Sequence, residues 1–178
     1  MIRDATTGDA GAICAIWNDV IRSPHITFTT LERSEAEVAA LIAHGAVAGL
    51  PFLVVEEREV LGFATYAQFR RGPGYARTVE HTINLASSAQ GHGHGRSLMN
   101  ALLDRARQGG VRSMVGAVSG ANPAAIAFHG RMGFTRVGLI PDAGYKYGAW
   151  LDLVLMQRRL EGAGGGPPAP GAPTASAG

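Results

Sequence analysis

The hydrophobic positions in the first part of the chain follow the period of a helix. Over residues 9–21, apolar side chains recur at three- and four-residue spacing, which predicts an amphipathic helix that ends before Pro24. Ser34 and Glu37 form the S-x-x-E pattern of a capping box, which predicts that a second helix begins there. Gly45 is the residue expected to end this second helix.

The pattern then changes to the period of a strand. Apolar runs at 52–55 and 60–69 predict two strands that form a hairpin. Residues 78–85 alternate strictly between apolar and polar types, so a strand there has two distinct faces. One face carries Val79, His81, Ile83 and Leu85, and the other carries Thr78, Glu80, Thr82 and Asn84.

The second half of the chain continues this mixture of helices and strands. Asn122 and Pro123 have the residue types of a helix cap and a first helical position. The predicted elements are a helix at 96–108, a strand at 114–118, a helix from Pro123, and strands at 134–139 and 151–156. The fold class is therefore mixed α/β.

Glycine is unevenly distributed along the chain. It makes up 25 of the 178 residues, and six of these lie in 162–178. This last stretch has no charged or large side chain, so it cannot bury enough surface to offset the entropy of ordering. We expect one domain over 1–161, long enough to bury a core, followed by a flexible tail over 162–178.

Charge and apolar runs argue against several classes of protein. The 16 basic and 14 acidic residues nearly balance and the basic ones are scattered, so nucleic acid is not an expected partner. No apolar stretch approaches the roughly 18 residues of a membrane span, and no apolar signal region is seen at the start. Cys14, the single cysteine, is expected to be a small buried hydrophobe, and a cytoplasmic location is expected.

A glycine-rich turn, Gly91-x-Gly93-x-Gly95, lies between a predicted strand and a predicted helix. Glycines let main-chain N–H groups turn toward an anion, and a helix N-terminus adds partial positive charge, so the turn fits a phosphate. The same glycines also suit a plain connection to a helix. No Gly-Lys-Ser/Thr follows, which excludes a Walker loop. His92 and His94 have no supporting His or Cys cluster, so no metal is expected.

Residues 90–95, Gln-Gly-His-Gly-His-Gly, resemble the Q/R-x-x-G-x-G/A signature of the GCN5-related N-acetyltransferases. Three further segments resemble the phosphinothricin and methionine sulfoximine acetyltransferases within that superfamily. These segments are 78–82 (TVEHT), 128–134 (FHGRMGF) and 145–152 (YKYGAWLD). The resemblance covers roughly residues 2–160. It implies a mixed, mostly antiparallel sheet that is flanked by helices and splayed where acetyl-CoA enters.

The resemblance implies that acetyl-CoA is the co-substrate. Its pyrophosphate is expected on main-chain amides of the glycine turn, and its pantetheine arm is expected to pair beside the preceding strand. The residues that the resemblance assigns to the coenzyme are Ile83, Asn84, Leu85, Gly91, His92, Gly93, His94, Gly95, Arg96 and Asn122. Asn122 has a compatible role as a helix cap.

The resemblance also assigns two catalytic residues. Glu80 is the expected base for the acceptor amine, acting directly or through a water, with a structural ion pair as the alternative. His129 stands where many superfamily members have a tyrosine that protonates the departing thiolate. We expect His129 to act as an acid or to orient Glu80, and a merely packed histidine is the alternative.

The implied acceptor is the primary amine of a small amino acid analogue of the phosphinothricin or methionine sulfoximine type. Arginines suit its anionic group, because a guanidinium can bind a carboxylate or phosphinate through two hydrogen bonds. The residues expected near the acceptor are Phe28, Arg70, Arg71, Arg77, Glu80, His81 and Thr82. A protein N-terminus, another small amine, and a non-catalytic acyl-CoA-binding module stay open as alternatives. The resemblance further implies a homodimer.

Overall fold

The structure of the protein is a computed structural model that describes residues 1–160. Along the chain, the elements are β1 (Ile2–Asp4), α1 (Ala10–Arg22), α2 (Glu35–Ala48), β2 (Phe52–Glu56), β3 (Val60–Gln68), β4 (Thr78–Leu85), α3 (His94–Gln108), β5 (Ser113–Ser119), α4 (Pro123–Arg131), β6 (Thr135–Lys146) and β7 (Ala149–Arg159). The strands form one sheet in the order β1-β2-β3-β4-β5-β7-β6. Only the β4–β5 pair among them is parallel.

Apolar side chains on both faces of the sheet form two buried clusters. Leu53 and Val55 of β2 belong to the cluster that contains the apolar face of α3. Phe52 and Val54 of the same strand belong to the cluster with α1 and α2. Because successive side chains of a strand point to opposite faces, helices cover the sheet on both sides. The predicted mixed class, with a mostly antiparallel sheet flanked by helices, is confirmed.

The sheet parts between its two central strands. β4 and β5 pair only over 78–80 and 113–115. Beyond Glu80, β4 stays paired with β3 as far as Leu85, and β5 stays paired with β7 as far as Ser119. Each strand therefore has a stretch whose inner edge has no strand partner within residues 1–160, and the predicted splay is confirmed.

The predicted elements differ from the structure mainly at their ends. Gly45 lies buried inside α2, which ends instead at Gly49 in the left-handed conformation that glycine tolerates (φ 69°). Helix α3 begins at His94, two residues earlier than predicted. Strands β6 and β7 are longer than predicted. Most of β6 is exposed, so its sequence has no clear apolar pattern from which its full length could be predicted.

The predicted end of the domain at 161 and the predicted tail at 162–178 lie outside the described residues. None of the helices in residues 1–160 has the length and hydropathy of a membrane-spanning segment. Cys14, expected to be a small buried hydrophobe, packs at the edge of the cluster beneath α1 and α2 and is partly buried.

Candidate active site

The parting of β4 and β5 opens a cavity of about 480 Å³, called the cleft below. Its walls come from α1, the segment 26–33 that follows it, β4, β5, α4 and β7. The cleft brings together eight of the residues that the sequence predicts, namely Phe28, Glu80, His81, Thr82, Ile83, Asn84, Asn122 and His129. The fold thus collects one candidate site from segments about one hundred residues apart.

Residues 83–85 form the inner edge of β4 beside the cleft. Their main chain pairs with β3 through Gly62, Phe63 and Ala64, and β5 does not reach them. Main-chain groups on an unpaired strand edge can hydrogen-bond an extended ligand as if it were another strand. The geometry therefore fits the amide-bearing pantetheine arm that the sequence analysis expects here.

The glycine turn lies at the N-terminus of α3. Gly91 and Gly93 have φ angles of 82° and 84°, which other residues adopt only at a cost. The hydrogen bond from Ser97 N–H to the Gly93 carbonyl begins the helix, so the amides of the three residues between them have no partner within the helix. These amides and the helix dipole fit a pyrophosphate group.

Side chains of the turn contribute less to this arrangement. His92 and Arg96 are exposed, and His94 Nε2 lies 3.6 Å from Glu57 Oε1. A Cβ on Gly95 would lie 3.4 Å from the Leu85 side chain, at van der Waals distance. The fit of the turn to a phosphate therefore rests on its main chain.

Asn122 stands where β5 gives way to α4. Its Oδ1 accepts a hydrogen bond from Ala125 N–H at 3.0 Å, which confirms the predicted helix cap. Pro123 occupies the first turn of the helix, also as predicted. Because Asn122 also lines the cleft, capping and a position beside the coenzyme arm are compatible.

Glu80 lies where β4 and β5 part. Burial raises the pKa of the Glu80 carboxyl, and the positive charge of Arg70 partly offsets this shift. Among residues 1–160, no salt bridge or side-chain hydrogen bond engages Glu80, so the alternative of a structural ion pair is not found. A carboxylate with a raised pKa and no bound partner is suited to accept a proton.

His81 and His129 form a buried pair beside the cleft. Their Nε2 atoms lie 3.1 Å apart, and His129 Nδ1 lies 2.7 Å from the Ala125 carbonyl oxygen. A carbonyl only accepts, so His129 Nδ1 carries a proton. In the neutral pair, His81 Nε2–H then donates to His129 Nε2. Because neither partner of His129 is Glu80, the expected orientation of Glu80 by His129 does not occur through direct contact.

Burial keeps this pair neutral at neutral pH. It lowers the pKa of His81 to about 3, and it lowers the pKa of His129, opposed by the hydrogen bond to Ala125. His81 Nδ1 is buried and has no hydrogen-bond partner within residues 1–160. Both ring nitrogens of His129 are engaged, which is what the alternative of a satisfied, packed histidine expects, so that alternative stands beside the catalytic role.

Gly116 of β5 makes the room that the histidine pair needs. A Cβ at this position would lie 3.0 Å from both His81 Nε2 and His129 Cδ2. Such contacts are tighter than side chains ordinarily make, so any larger residue would displace the rings. The role of Gly116 cannot be predicted from the sequence, because a glycine inside a strand does not indicate which side chains pack against it.

The three predicted arginines are placed differently from one another. Arg70 is exposed, stacks on the Phe69 ring at 5.0 Å, and is near enough to Glu80 to affect its pKa. Arg71 is exposed. Arg77 donates from Nη1 to the Gly110 carbonyl at 3.1 Å, at the turn between α3 and β5. None of the three lines the cleft, and the expectation that Arg77 faces the acceptor is not met.

The segment that carries Phe28 is held by strand β6. A Cβ on Gly144 would lie 2.5 Å from the Phe28 ring, so the ring packs directly on the glycine main chain. Lys146 Nζ is buried and donates to the carbonyls of Ile21, Ser23 and Thr27 at 2.6, 2.6 and 2.9 Å. This role of Lys146 has no local signal in the sequence, because its partners lie about 120 residues away.

The chain is similar to known acetyltransferases over most of its length. The profile of the acetyltransferase (GNAT) family matches residues 15–134. The L-methionine sulfoximine/L-methionine sulfone acetyltransferase of Pseudomonas paraeruginosa is 38% identical over 90% of this chain and 94% of its own length.

Two solved structures are similar over nearly their whole length. A GNAT superfamily phosphinothricin acetyltransferase from Sinorhizobium meliloti, in complex with acetyl-CoA, is 35% identical with a TM-score of 0.88, covering 96% of this chain and 94% of that one. The yncA protein of Salmonella typhimurium, with its cofactor acetyl-CoA, is 34% identical with a TM-score of 0.90, covering 95% and 98%. With its splayed sheet, its glycine turn and this profile match, the chain belongs to the acetyltransferase (GNAT) family.

Proposed function

We propose that this chain is an acetyl-CoA-dependent N-acetyltransferase that acetylates the primary amine of a small amino acid analogue, of the methionine sulfoximine or phosphinothricin type. The observation that carries the proposal is Glu80, a half-buried carboxylate at the point where the sheet opens, which no salt bridge or side-chain hydrogen bond engages within residues 1–160. Relatives and structural neighbours with these substrates in their names support the choice of acceptor.

The proposal places the coenzyme on main-chain groups. The glycine turn and the N-terminus of α3 hold the pyrophosphate, and the inner edge of β4 at 83–85 holds the pantetheine arm. The thioester then lies in the cleft near Glu80, Asn122 and His129. When bound, acetyl-CoA supplies an activated acetyl group, and no metal has a part in the proposed reaction.

The acceptor arrives as an ammonium ion and must lose a proton before it can attack. Glu80 takes this proton, directly or through one water. Burial raises the pKa of Glu80, so this pKa is closer to that of the ammonium group than the pKa of an exposed carboxylate would be. The amine nitrogen then forms a bond to the acetyl carbon, and the carbon–sulfur bond breaks.

The departing thiolate needs a proton, and His129 is its proposed source. The His129 Nδ1 proton is bound to the Ala125 carbonyl, and Nε2 of the neutral ring accepts from His81 Nε2–H, so His129 can give a proton from Nε2 only after it has gained one there. Burial makes the doubly protonated ring a stronger acid by lowering its pKa. The proton that balances this step is the one that Glu80 takes from the amine. It passes through water in the cleft to His129 Nε2, while His81 carries its own proton on Nδ1, and it ends on the thiol, so that Glu80 and the histidine pair return to their starting states.

A free-thiol assay tests the proposal. Purified protein and acetyl-CoA are offered L-methionine sulfoximine, L-methionine sulfone, phosphinothricin, polyamines and peptides with free N-termini. Thiol release with the first three compounds is expected. Release with peptides alone would support the protein N-terminus as the acceptor, and coenzyme binding without release from any amine would leave a non-catalytic binding module.

A homodimer and a cytoplasmic location complete the proposal. The edge strand β6 and its neighbour β7 expose several large apolar side chains, among them Leu139, Ile140, Tyr145 and Trp150. Apolar patches of this kind commonly mark interfaces. Trp150→Ser should shift the sedimentation coefficient toward that of a monomer, whereas Leu31→Ser, at another exposed position, should not.

A single cysteine suits a reducing compartment, which cell fractionation can check.

A further inference from the structure

Arg33 is held in place by contacts to its main chain. Asn18 Nδ2 donates to the Arg33 carbonyl at 2.9 Å, and Asn18 Oδ1 accepts from Arg33 N–H at 2.9 Å. Cys14 Sγ donates to the same carbonyl at 3.2 Å. Asn18 is buried in α1, so these hydrogen bonds fix the irregular segment around Arg33 to that helix.

The guanidinium of Arg33 is also oriented. Its Cζ lies 4.1 Å from the centroid of the Trp17 ring, which itself packs on the buried ring of Phe63 at 4.8 Å. Stacking covers a face of the planar guanidinium and leaves its edge for hydrogen bonds. Arg33 Nε is buried and has no hydrogen-bond partner within residues 1–160. A buried N–H without an acceptor is unfavourable unless a ligand supplies one.

Arg33 shares its surroundings with the proposed base. A second cavity of about 300 Å³ adjoins the cleft, and both are lined by Trp17, Arg33, Glu80 and Thr82. No other Lys or Arg of residues 1–160 lines either cavity. The nearby acid Glu37 is engaged by Ser34 and forms no ion pair with Arg33.

We propose that Arg33 binds the α-carboxylate of the acceptor, through the guanidinium edge that carries Nε. The inference rests on the proposed function, which supplies an acceptor with an amine and an anion. An amino acid bound this way presents its ammonium group toward Glu80 while its carboxylate meets the one arginine of the two cavities. The arginines that sequence reasoning selected, Arg70, Arg71 and Arg77, line neither cavity.

A purely structural role for Arg33 predicts something different. The clamp from Asn18 and Cys14 engages main-chain atoms, which any residue at position 33 would retain. The stacked guanidinium is therefore not needed to hold the segment. If it only packed on Trp17, its loss would affect acids and neutral acceptors alike.

The test compares L-methionine sulfone with its α-carboxamide, in which the anion is removed and the amine kept. The ratio of kcat/KM for the acid to kcat/KM for the amide is measured for the wild type and for Arg33→Met. We expect this ratio to fall about ten- to hundredfold in the variant, the usual range for a hydrogen-bonded charge. The different basicities of the two amines cancel, because they are the same for both proteins.

Arg33→Lys keeps the charge but not the planar edge, so it should give an intermediate ratio. Arg22→Met removes an exposed arginine at the end of α1 and should keep the wild-type ratio. The KM for acetyl-CoA should stay within twofold in all three variants, which separates an acceptor anion from a coenzyme phosphate.

A wild-type ratio in an active, folded Arg33→Met protein overturns the inference and leaves the acetyltransferase proposal intact. If Arg33→Met does not fold, the ratio of Arg33→Lys decides in the same way. If the wild type acetylates neither compound, the proposed function fails. Calorimetric titration with the acid and the amide then decides the inference alone, since selective loss of acid binding in Arg33→Met supports it and equal affinities overturn it.

Discussion

In the proposal above, the candidate site has a coenzyme half and an acceptor half, and the two are built in different ways. The coenzyme half uses main-chain amides of one continuous stretch, the turn and first residues of α3, together with the edge of β4. The acceptor half uses side chains from α1, from the segment 23–33, from β4 and from β6. A main-chain site leaves a local mark in the sequence, the glycines at fixed spacing. A side-chain site assembled from distant segments does not.

The largest expected effect lies at Glu80, where the two halves meet. Glu80→Gln removes the base but keeps the size and polarity of the side chain, so kcat should fall about a hundred- to ten-thousandfold. The Kd for acetyl-CoA, measured by calorimetry, should change less than twofold. Glu59→Gln, in the exposed turn between β2 and β3, is the matched control. An unchanged kcat in Glu80→Gln would remove Glu80 as the base.

Lys146 tests the acceptor half without touching the coenzyme half. Lys146→Met leaves three carbonyls of the segment 21–27 without their donor, so the free energy of unfolding should fall by about 3 kcal/mol. The KM for the amine should rise because Phe28 is no longer held, whereas the Kd for acetyl-CoA should not. Chemical denaturation and steady-state kinetics measure both. Arg136→Met, at an exposed position of β6, should have neither effect.

The pH dependence of kcat/KM tests the electrostatic environment of Glu80, which lies where the two halves meet. Glu80 acts as a carboxylate, so kcat/KM for the amine should fall about tenfold per pH unit below its pKa, which burial raises above 4.5. Arg70 opposes this shift, so Arg70→Met should raise the pKa further and move the profile to higher pH. The amine's own titration is common to both proteins and does not affect the displacement. Superimposable profiles would contradict the assignment.

Gly93 tests the coenzyme half alone. Gly93→Ala puts a Cβ on a residue with φ of 84°, which costs about 1–2 kcal/mol in this loop conformation. The Kd for acetyl-CoA should rise about tenfold, with the KM for the amine unchanged. Gly74→Ala, where a Cβ meets no atom within 4 Å and φ is not positive, is the control. Equal effects on both ligands would mean that the halves are not separable.

The difference between the halves explains what sequence reasoning could find. The elements of the fold, the Asn122 cap and the two faces of β4 follow from local periods and caps, and the structure contains them. The pairing of His81 with His129 over Gly116, the packing of Phe28 on Gly144 and the bonds of Lys146 need contacts between segments far apart. No local pattern encodes them. For the same reason, the sequence favours Arg70, Arg71 and Arg77, which lie near Glu80 along the chain, as ligands of the acceptor anion. The structure instead places Arg33 in the lining of the cleft.

The smallest expected effect separates stability from function within the acceptor half. Ser34 Oγ accepts from Glu37 N–H at 3.2 Å, and the Glu37 carboxylate accepts from Ser34 N–H at 2.7 Å, so the pair caps α2. Ser34→Ala should lower the free energy of unfolding by about 1 kcal/mol. The KM for the amine should not change, because the adjacent Arg33 is held by Asn18 and not by the cap.

Ser34→Asp restores a capping oxygen and should recover most of this stability in the same denaturation experiment. A rise in the amine KM for Ser34→Ala that Ser34→Asp reverses would show that the cap positions Arg33 as well. The acceptor half would then depend on α2 in addition to the contacts from α1 and β6. An unchanged amine KM in Ser34→Ala would show that the α2 cap has no part in the acceptor half, which then depends only on α1, β6 and the walls of the cleft.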